Sequence, residues 1–135
     1  MTFVIDTSLT VAWVYEDERT GDIELLLDRV HQEGAEVPAI WRLEVANALQ
    51  QGVKRRRIDM RRRTEAFAML DALNISIDPQ TDQYAWADTI ELADRFQLTS
   101  YDASYLELAQ RRELPLATLD KDLRAAGKKL GIPLL

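Results

Sequence analysis

Four acidic side chains are the strongest candidates for chemistry in this 135-residue chain: Asp6, Glu44, Asp102 and Asp120. The first directly follows a short apolar run. The second lies in a stretch where only one other residue is charged, and the last two stand where helices are expected to begin. Grouped carboxylates repel one another unless a divalent cation neutralises them. Because hard oxygen ligands favour Mg²⁺ or Mn²⁺ over zinc, these residues indicate a site for one of those ions.

Each of these four residues also has a purely structural interpretation. An aspartate at the start of a helix caps the backbone N–H groups and stabilises the helix by about 0.3–1 kcal/mol or more, which would explain Asp6, Asp102 or Asp120. Glu44 could form a salt bridge with Arg42 or with another arginine. For an isolated aspartate, capping is the commoner role. The metal-site interpretation therefore depends on all four side chains meeting in the folded protein.

The elements that must position these side chains follow from the hydrophobic periodicity. Apolar or alternating runs predict strands at 2–5, 36–37, 74–78 and 114–119, with a short final strand at 132–134. Amphipathic segments predict helices at 9–16, 20–33, 39–53, 59–73, 81–97, 102–112 and 121–130. Strands separated by helices are typical of a mostly parallel sheet with helices on both faces. We therefore expect one domain over residues 1–135, a three-layer α/β/α sandwich with functional groups beyond the carboxyl ends of its strands.

Composition narrows the function further. Hydrophobic residues make up 47% of the chain and charged residues 30%, which predicts a folded core. The absence of cysteine excludes thiolate metal sites, and the single histidine, His31, excludes histidine-rich ones. His31 lies in a charged segment, so we expect it at the surface. No apolar run approaches the roughly 20 residues that cross a bilayer, and no signal peptide is evident, so we expect a cytoplasmic protein without membrane contact.

A basic cluster interrupts an otherwise acidic chain. Residues 54–63 carry seven positive charges and one negative charge, a net +6. Because the whole chain carries −6, the remainder carries −12. Guanidinium groups pair well with phosphates, so Arg55, Arg56 and Arg57 are candidate RNA contacts. A solvated surface, or a contact with a partner, is the commoner explanation of such a charge run.

Three tryptophans share helical spacings with other apolar residues. They are Trp13, Trp41 and Trp86. We interpret them as core residues or partner contacts and not as platforms for stacking bases.

Four short motifs, taken together, resemble the PIN-domain ribonucleases, and specifically the toxins of VapBC-type toxin–antitoxin pairs. They are Val-Ile-Asp-Thr-Ser at 4–8, Glu-Val-Ala-Asn-Ala-Leu at 44–49, Tyr-Asp-Ala at 101–103 and Thr-Leu-Asp-Lys-Asp-Leu at 118–123. The resemblance covers nearly the whole chain, in order. It implies that Asp6, Glu44, Asp102 and Asp120 are the catalytic metal ligands, that Ser8, Asn47 and Thr118 support them, and that Asp122 is an additional carboxylate.

The resemblance also implies an activity and partners. The expected function is that of a Mg²⁺-dependent endoribonuclease, with Mn²⁺ as an alternative ion, which hydrolyses RNA phosphodiesters by metal-activated water. Such a protein is the toxic component of a type II toxin–antitoxin system, is blocked by a small VapB-like antitoxin and forms a homodimer. Two alternatives stay open: a PIN-like nuclease that acts on DNA or in RNA processing without an antitoxin, and a catalytically silent binding module. A haloacid-dehalogenase-type phosphatase would need a second aspartate where Ser8 stands.

Overall fold

A four-stranded parallel sheet forms the centre of the computed structural model, which describes all 135 residues. Its strands are β1 (Phe3–Ile5), β2 (Ala35–Val37), β3 (Ile75–Ile77) and β4 (Leu116–Ala117), in the spatial order β3-β2-β1-β4. All three residues of β1 are fully buried. When helices cover both faces of a parallel sheet, an inner strand has no side that faces solvent.

Two groups of helices flank this sheet. The α-helices are α1 (Thr7–Ala12), α2 (Gly21–Glu33), α3 (Trp41–Lys54), α4 (Met60–Asp71), α5 (Thr81–Tyr84), α6 (Ile90–Phe96), α7 (Ser100–Arg112) and α8 (Lys121–Lys129). Helix α3 packs on α1 and α4, whereas α7 packs on α6, α8 and β1. This arrangement is the predicted three-layer α/β/α sandwich. No helix combines the length and the apolar character needed to cross a membrane.

Three helices begin just beyond the carboxyl ends of strands. Helices α1, α3 and α8 follow β1, β2 and β4, so their first turns lie at the same edge of the sheet. Two of the candidate aspartates start these helices. The backbone N–H of Leu9 donates to Asp6 Oδ1 at 3.1 Å, and that of Leu123 donates to Asp120 Oδ1 at 2.9 Å. The capping role considered from the sequence is therefore present at Asp6 and Asp120, and it fixes both side chains at this edge.

The final strands are shorter than the sequence predicts. Only Leu116–Ala117 of the predicted strand 114–119 pairs with β1, because the N–H of Leu114 instead donates to Ala109 O at the end of α7. The predicted strand 132–134 is reduced to a single bridge between Leu116 and Leu134. Pro133 has no N–H group to donate, which prevents a longer ladder.

The predicted helix 81–97 contains a change of helical period. A π-helical turn at Ala85–Thr89 joins α5 to α6. The wider turn shifts the phase of the apolar stripe and leaves Trp86 96% exposed, so its interpretation as a core residue was wrong. A partner contact at Trp86 stays a prediction. Trp13 and Trp41 are buried in the core, as predicted.

The first predicted helix also ends early. Helix α1 covers Thr7–Ala12 and not 9–16, and a 3₁₀ turn follows at Glu16–Glu18. Residues 13–15 between the two helices are buried in the core.

Candidate active site

The structure places the four candidate carboxylates at the edge of the sheet where the strands end. Asp6 follows β1, and Asp120 comes three residues after the neighbouring strand β4. Glu44 lies in the first turn of α3, and Asp102 lies in the first turn of α7. All four are thus carried by regular elements or by the residues that cap them, which restricts their movement.

Asp6 is buried and surrounded by neutral hydrogen-bond donors. Its side chain accepts from Ser8 Oγ at 2.7 Å on Oδ1 and from Thr118 Oγ1 at 2.5 Å on Oδ2, in addition to the N–H of Leu9. Burial raises the pKa of Asp6 to about 6 against the lowering effect of these donors, and the charge of Asp120 adds to the rise. The two hydroxyls predicted to support the site, Ser8 and Thr118, therefore hold this carboxylate in place.

Glu44 is anchored by hydroxyl groups and not by a salt bridge. Tyr105 OH donates to Glu44 Oε1 at 2.5 Å, and Thr7 Oγ1 lies 3.2 Å from the same oxygen. Arg42, the partner considered from the sequence, instead pairs with Asp71 at 3.0 Å. Glu44 therefore makes no salt bridge, and no protein donor reaches its second oxygen.

Asp102 is not the cap of its helix. Thr99 has that role, because the backbone N–H of Asp102 donates to Thr99 Oγ1 at 3.0 Å. Burial raises the pKa of Asp102, and the charges of Asp120, Glu44 and Asp122 raise it further. These side chains therefore share one electrostatic neighbourhood, and Asp122, the additional carboxylate suggested by the sequence, contributes to it.

The chemistry of this group fits a hard divalent cation. None of the four side chains pairs with a lysine or arginine, although ten salt bridges involving other carboxylates occur in the protein. In the conformation described, no three carboxylates converge as a ligand cluster. Hydroxyls and backbone N–H groups hold Asp6, Glu44 and Asp120 individually. Carboxylate oxygens that repel one another and lack a protein cation are suitable ligands for Mg²⁺ or Mn²⁺.

The remaining predicted site residues differ in their surroundings. Asn47 is exposed, makes no hydrogen bond to the carboxylates and lines a groove between α3 and α4. His31 is exposed on α2, as predicted.

Sequence reasoning missed Thr7 and Tyr105. Tyr105 had a detectable signal, because it lies three residues after Asp102 and so on the same side of α7.

The arginines of the basic cluster have divided roles. Arg57 contacts Asp17 at 3.1 Å and Glu18 at 3.0 Å, and its guanidinium lies 3.8 Å from the ring centroid of Tyr15. Arg55 and Arg56 are exposed and make no salt bridge. Arg55, which caps the end of α3, comes eleven residues after Glu44, a distance of about 16 Å along the helix axis.

Comparisons with known proteins give one family and one fold. The model of the family described as PIN domain matches residues 3–129. PAE2754 from Pyrobaculum aerophilum is structurally similar with a TM-score of 0.71 and 23% identity, over 99% of this chain and 89% of that one. VapBC2 from Rickettsia felis, solved bound to a DNA fragment from their promoter, is similar with a TM-score of 0.65 and 16% identity, over 100% of this chain and 98% of that one. The search of curated proteins gives no match.

Proposed function

The chain belongs to the PIN-domain family, and we propose that it is a magnesium-dependent endoribonuclease, the toxic component of a type II toxin–antitoxin system. The observation that carries the proposal is the group of four carboxylates at the strand ends, none of which is paired with a cation of the protein. Like-charge repulsion within this group is relieved when a divalent cation binds. Hydrolysis of a phosphodiester is the chemistry that such a carboxylate–metal site supports.

Each residue has a defined role in this proposal. Asp6, Glu44, Asp102 and Asp120 would hold one or two Mg²⁺ ions, and Ser8 and Thr118 fix the orientation of Asp6. An ion held there would supply charge neutralisation for the phosphate and activation of water. The carboxylates themselves keep unbound RNA phosphates at a distance until the cation is present, because both carry negative charge. His31 lies on α2, away from this edge, so no imidazole is assigned a proton-transfer role.

RNA capture is assigned to the basic end of α3. Arg55 and Arg56 have no partner in the protein and are free to contact phosphates. We include Arg57 in this surface, as the sequence indicated, although its contacts with Asp17 and Glu18 also hold the 3₁₀ turn against the start of the α3–α4 loop. RNA bound at both places would span about 16 Å between the basic cluster and the carboxylates.

The proposed partners are a small VapB-like antitoxin and a second copy of the chain. One of the structurally similar proteins is the VapBC2 of Rickettsia felis, which supports a search for an antitoxin of this chain. Trp86 and Ile90 are exposed apolar side chains that a second copy would cover. Light scattering after size-exclusion chromatography measures the mass of the purified protein and tests the dimer directly. A monomeric mass at high protein concentration would rule the dimer out.

Cleavage assays on matched RNA and DNA oligonucleotides test the activity. Wild type is expected to cut RNA only when Mg²⁺ or Mn²⁺ is added. Asp102→Asn removes an anionic ligand while keeping the shape of the side chain, so it should lose cleavage and retain its melting temperature. Asp28→Asn is the matched control, because Asp28 is exposed on α2 and makes no salt bridge. Full activity of Asp102→Asn would reject the site, and cleavage of DNA alone would reject the ribonuclease.

Growth experiments test the toxin assignment separately. Expression of the wild type in a bacterium should stop growth, whereas Asp102→Asn should not. Co-expression of the product of the adjacent reading frame should restore growth. Normal growth with abundant, folded wild-type protein would contradict the toxin assignment and leave the nuclease assignment to the cleavage assay.

A further inference from the structure

We propose that Tyr105 is a positioning residue of the metal site, which with Thr7 holds one oxygen of Glu44 and leaves the other oxygen available to a cation. This inference rests on the proposed function, because it concerns the same carboxylates. Tyr105 is not itself a metal ligand in this proposal. It acts through Glu44.

Three elements meet in this arrangement. Tyr105 OH lies 2.5 Å from Glu44 Oε1, Thr7 Oγ1 lies 3.2 Å from the same atom, and the two hydroxyl oxygens lie 3.0 Å apart. Thr7 belongs to α1, Glu44 to α3 and Tyr105 to α7. The resulting triangle connects three helices that pack around the carboxylate group.

The direction of the hydrogen bonds follows from the number of available protons. An ionised carboxylate only accepts, and each hydroxyl has a single proton. The shortest contact assigns the proton of Tyr105 to Glu44, so Thr7 donates either to Glu44 or to the oxygen of Tyr105. In both cases Tyr105 is the principal donor.

Glu44 needs such an anchor. A glutamate side chain has three rotatable bonds, and no lysine or arginine holds this one. Tyr105 is only 1% exposed, so the packing of its ring fixes the position of its hydroxyl. Both donors reach Oε1, and no protein donor reaches Oε2. The anchor therefore limits the movement of the carboxylate without occupying the oxygen that a cation would use.

Helix α7 also relates two of the proposed ligands to each other. Asp102 is three residues before Tyr105, so the helix that carries one ligand also carries the anchor of another. The position of α7 therefore determines how far Asp102 lies from Glu44. Removing the Tyr105 hydroxyl should let the Glu44 carboxylate move relative to Asp102 while leaving α7 in place.

Direct binding of Mn²⁺ tests the inference in the absence of RNA. Electron paramagnetic resonance of free Mn²⁺ gives the dissociation constant for the wild type, Tyr105→Phe and Tyr101→Phe. Loss of a residue that orients a ligand typically weakens metal affinity by about 10–100-fold, which is the expectation for Tyr105→Phe. Tyr101→Phe is the matched control, because Tyr101 lies on the same helix, is exposed and has no side-chain hydrogen bond. Wild-type affinity in folded Tyr105→Phe would overturn the inference.

The Mg²⁺ dependence of cleavage separates positioning from a catalytic or merely structural role. Tyr105→Phe should need more Mg²⁺ for half-maximal cleavage and should recover near wild-type turnover at saturating Mg²⁺. A lower turnover at saturation with unchanged Mn²⁺ affinity would contradict a positioning role. If Tyr105→Phe does not fold, Thr7→Val removes the second hydroxyl and should weaken Mn²⁺ binding in the same direction. Unchanged Mn²⁺ affinity in Thr7→Val would then reject the anchor.

The Mn²⁺ affinities of wild type and of one further variant, Asp102→Asn, distinguish a failure of this inference from a failure of the proposed function. If wild type binds no Mn²⁺, or if Asp102→Asn binds it with wild-type affinity, the carboxylates are not the metal site and the proposed function fails. If wild type binds Mn²⁺ and Asp102→Asn does not, the carboxylates are supported as the metal site. The comparison of Tyr105→Phe with Tyr101→Phe then decides the role of Tyr105 alone.

Discussion

Replacement of Arg111 by methionine should remove a large part of the stability of the fold. Arg111 Nη2 donates to Asp78 Oδ2 at 2.5 Å, and Arg111 Nε donates to Glu107 Oε2 at 2.8 Å. The exposed fractions of the side chains are 14% for Arg111, 0% for Asp78 and 4% for Glu107. Methionine keeps most of the apolar length of the side chain but leaves two buried carboxylates without their cation.

The expected loss follows from this burial. Breaking a buried ion pair by removing one partner costs about 3–5 kcal/mol of unfolding free energy. For a chain of this length, such a loss lowers the melting temperature by roughly 10–20 °C. Asp78 keeps its hydrogen bonds from the N–H of Gln80 and from Thr81 Oγ1, which favours the lower end of the range.

The loss of unfolding free energy in Arg111→Met should also depend on pH, and the surroundings of Asp78 determine whether it grows or shrinks as the pH falls. Burial raises the pKa of Asp78, but the hydrogen bonds from Arg111, Gln80 and Thr81 together hold it below the ordinary value. In the wild type, this carboxylate therefore adds stability above its unfolded pKa and loses it as the pH falls through the folded pKa. In Arg111→Met the effect of burial on the pKa of Asp78 loses the offset from Arg111, and only the hydrogen bonds from Gln80 and Thr81 still oppose it. The difference between wild type and variant should be largest near pH 7 and should shrink as Asp78 is protonated.

Urea denaturation followed by tryptophan fluorescence at pH 7 and near pH 4 measures this difference, since Trp13 and Trp41 are buried. Arg112→Met is the matched control. Its guanidinium is 43% exposed and pairs with Glu36 at 3.0 Å, so its loss should cost less than about 1 kcal/mol at either pH. A loss below about 1 kcal/mol in Arg111→Met, or a loss that is equal at both pH values, would refute the reasoning.

Three other substitutions test the site and its surroundings. Asp6→Asn in EDTA at pH 7 should raise the unfolding free energy by about 1–3 kcal/mol, because burial raises the pKa of this carboxyl to about 6 and each pKa unit corresponds to about 1.4 kcal/mol. A variant that is less stable than the wild type in urea denaturation would contradict this prediction. His31→Ala should leave RNA turnover unchanged, since His31 is exposed on α2, and a loss of orders of magnitude would require a histidine in the reaction. The double variant Arg55→Gln and Arg56→Gln should weaken RNA binding and reduce the slope of log affinity against log salt by about 0.7 per lost phosphate contact, while an unchanged slope would exclude these arginines from RNA capture.

The order of elements could be predicted from the sequence because it depends on local patterns. Phe3–Ile5 is apolar throughout and ends at an aspartate, which indicates a buried strand, and that strand is at the centre of the sheet. The π-helical turn at Ala85–Thr89 could not be predicted, because Trp86 and Ile90 fit an ordinary helical period until the wider turn moves them. Periodicity reports the average repeat of a segment and not a single wider turn.

The contacts within the candidate site were harder to predict than its candidate members. The four carboxylates stand out by residue type and by their positions just after strands or in the first turns of helices. The bond between Tyr105 and Glu44 joins residues 61 positions apart, and the bond between Thr118 and Asp6 joins residues 112 apart. Such pairs depend on the packing of α7 and on the order of β1 and β4. No local pattern reports that packing, which is also why the contacts of Arg57 with Asp17 and Glu18 escaped the sequence reasoning.

Buried carboxylates in this protein have two kinds of partner, an arginine or neutral hydroxyls, and this difference bears on function. Asp78 and Glu107 are neutralised within the chain by Arg111. Asp6 is equally buried but is surrounded by the hydroxyls of Ser8 and Thr118, which carry no charge and leave its pKa at about 6. A buried carboxylate without a cation lowers stability, so it is expected where it serves a function. The cation that would balance Asp6 has to come from outside the chain, which is the reason for testing Mn²⁺ binding before any assay with RNA.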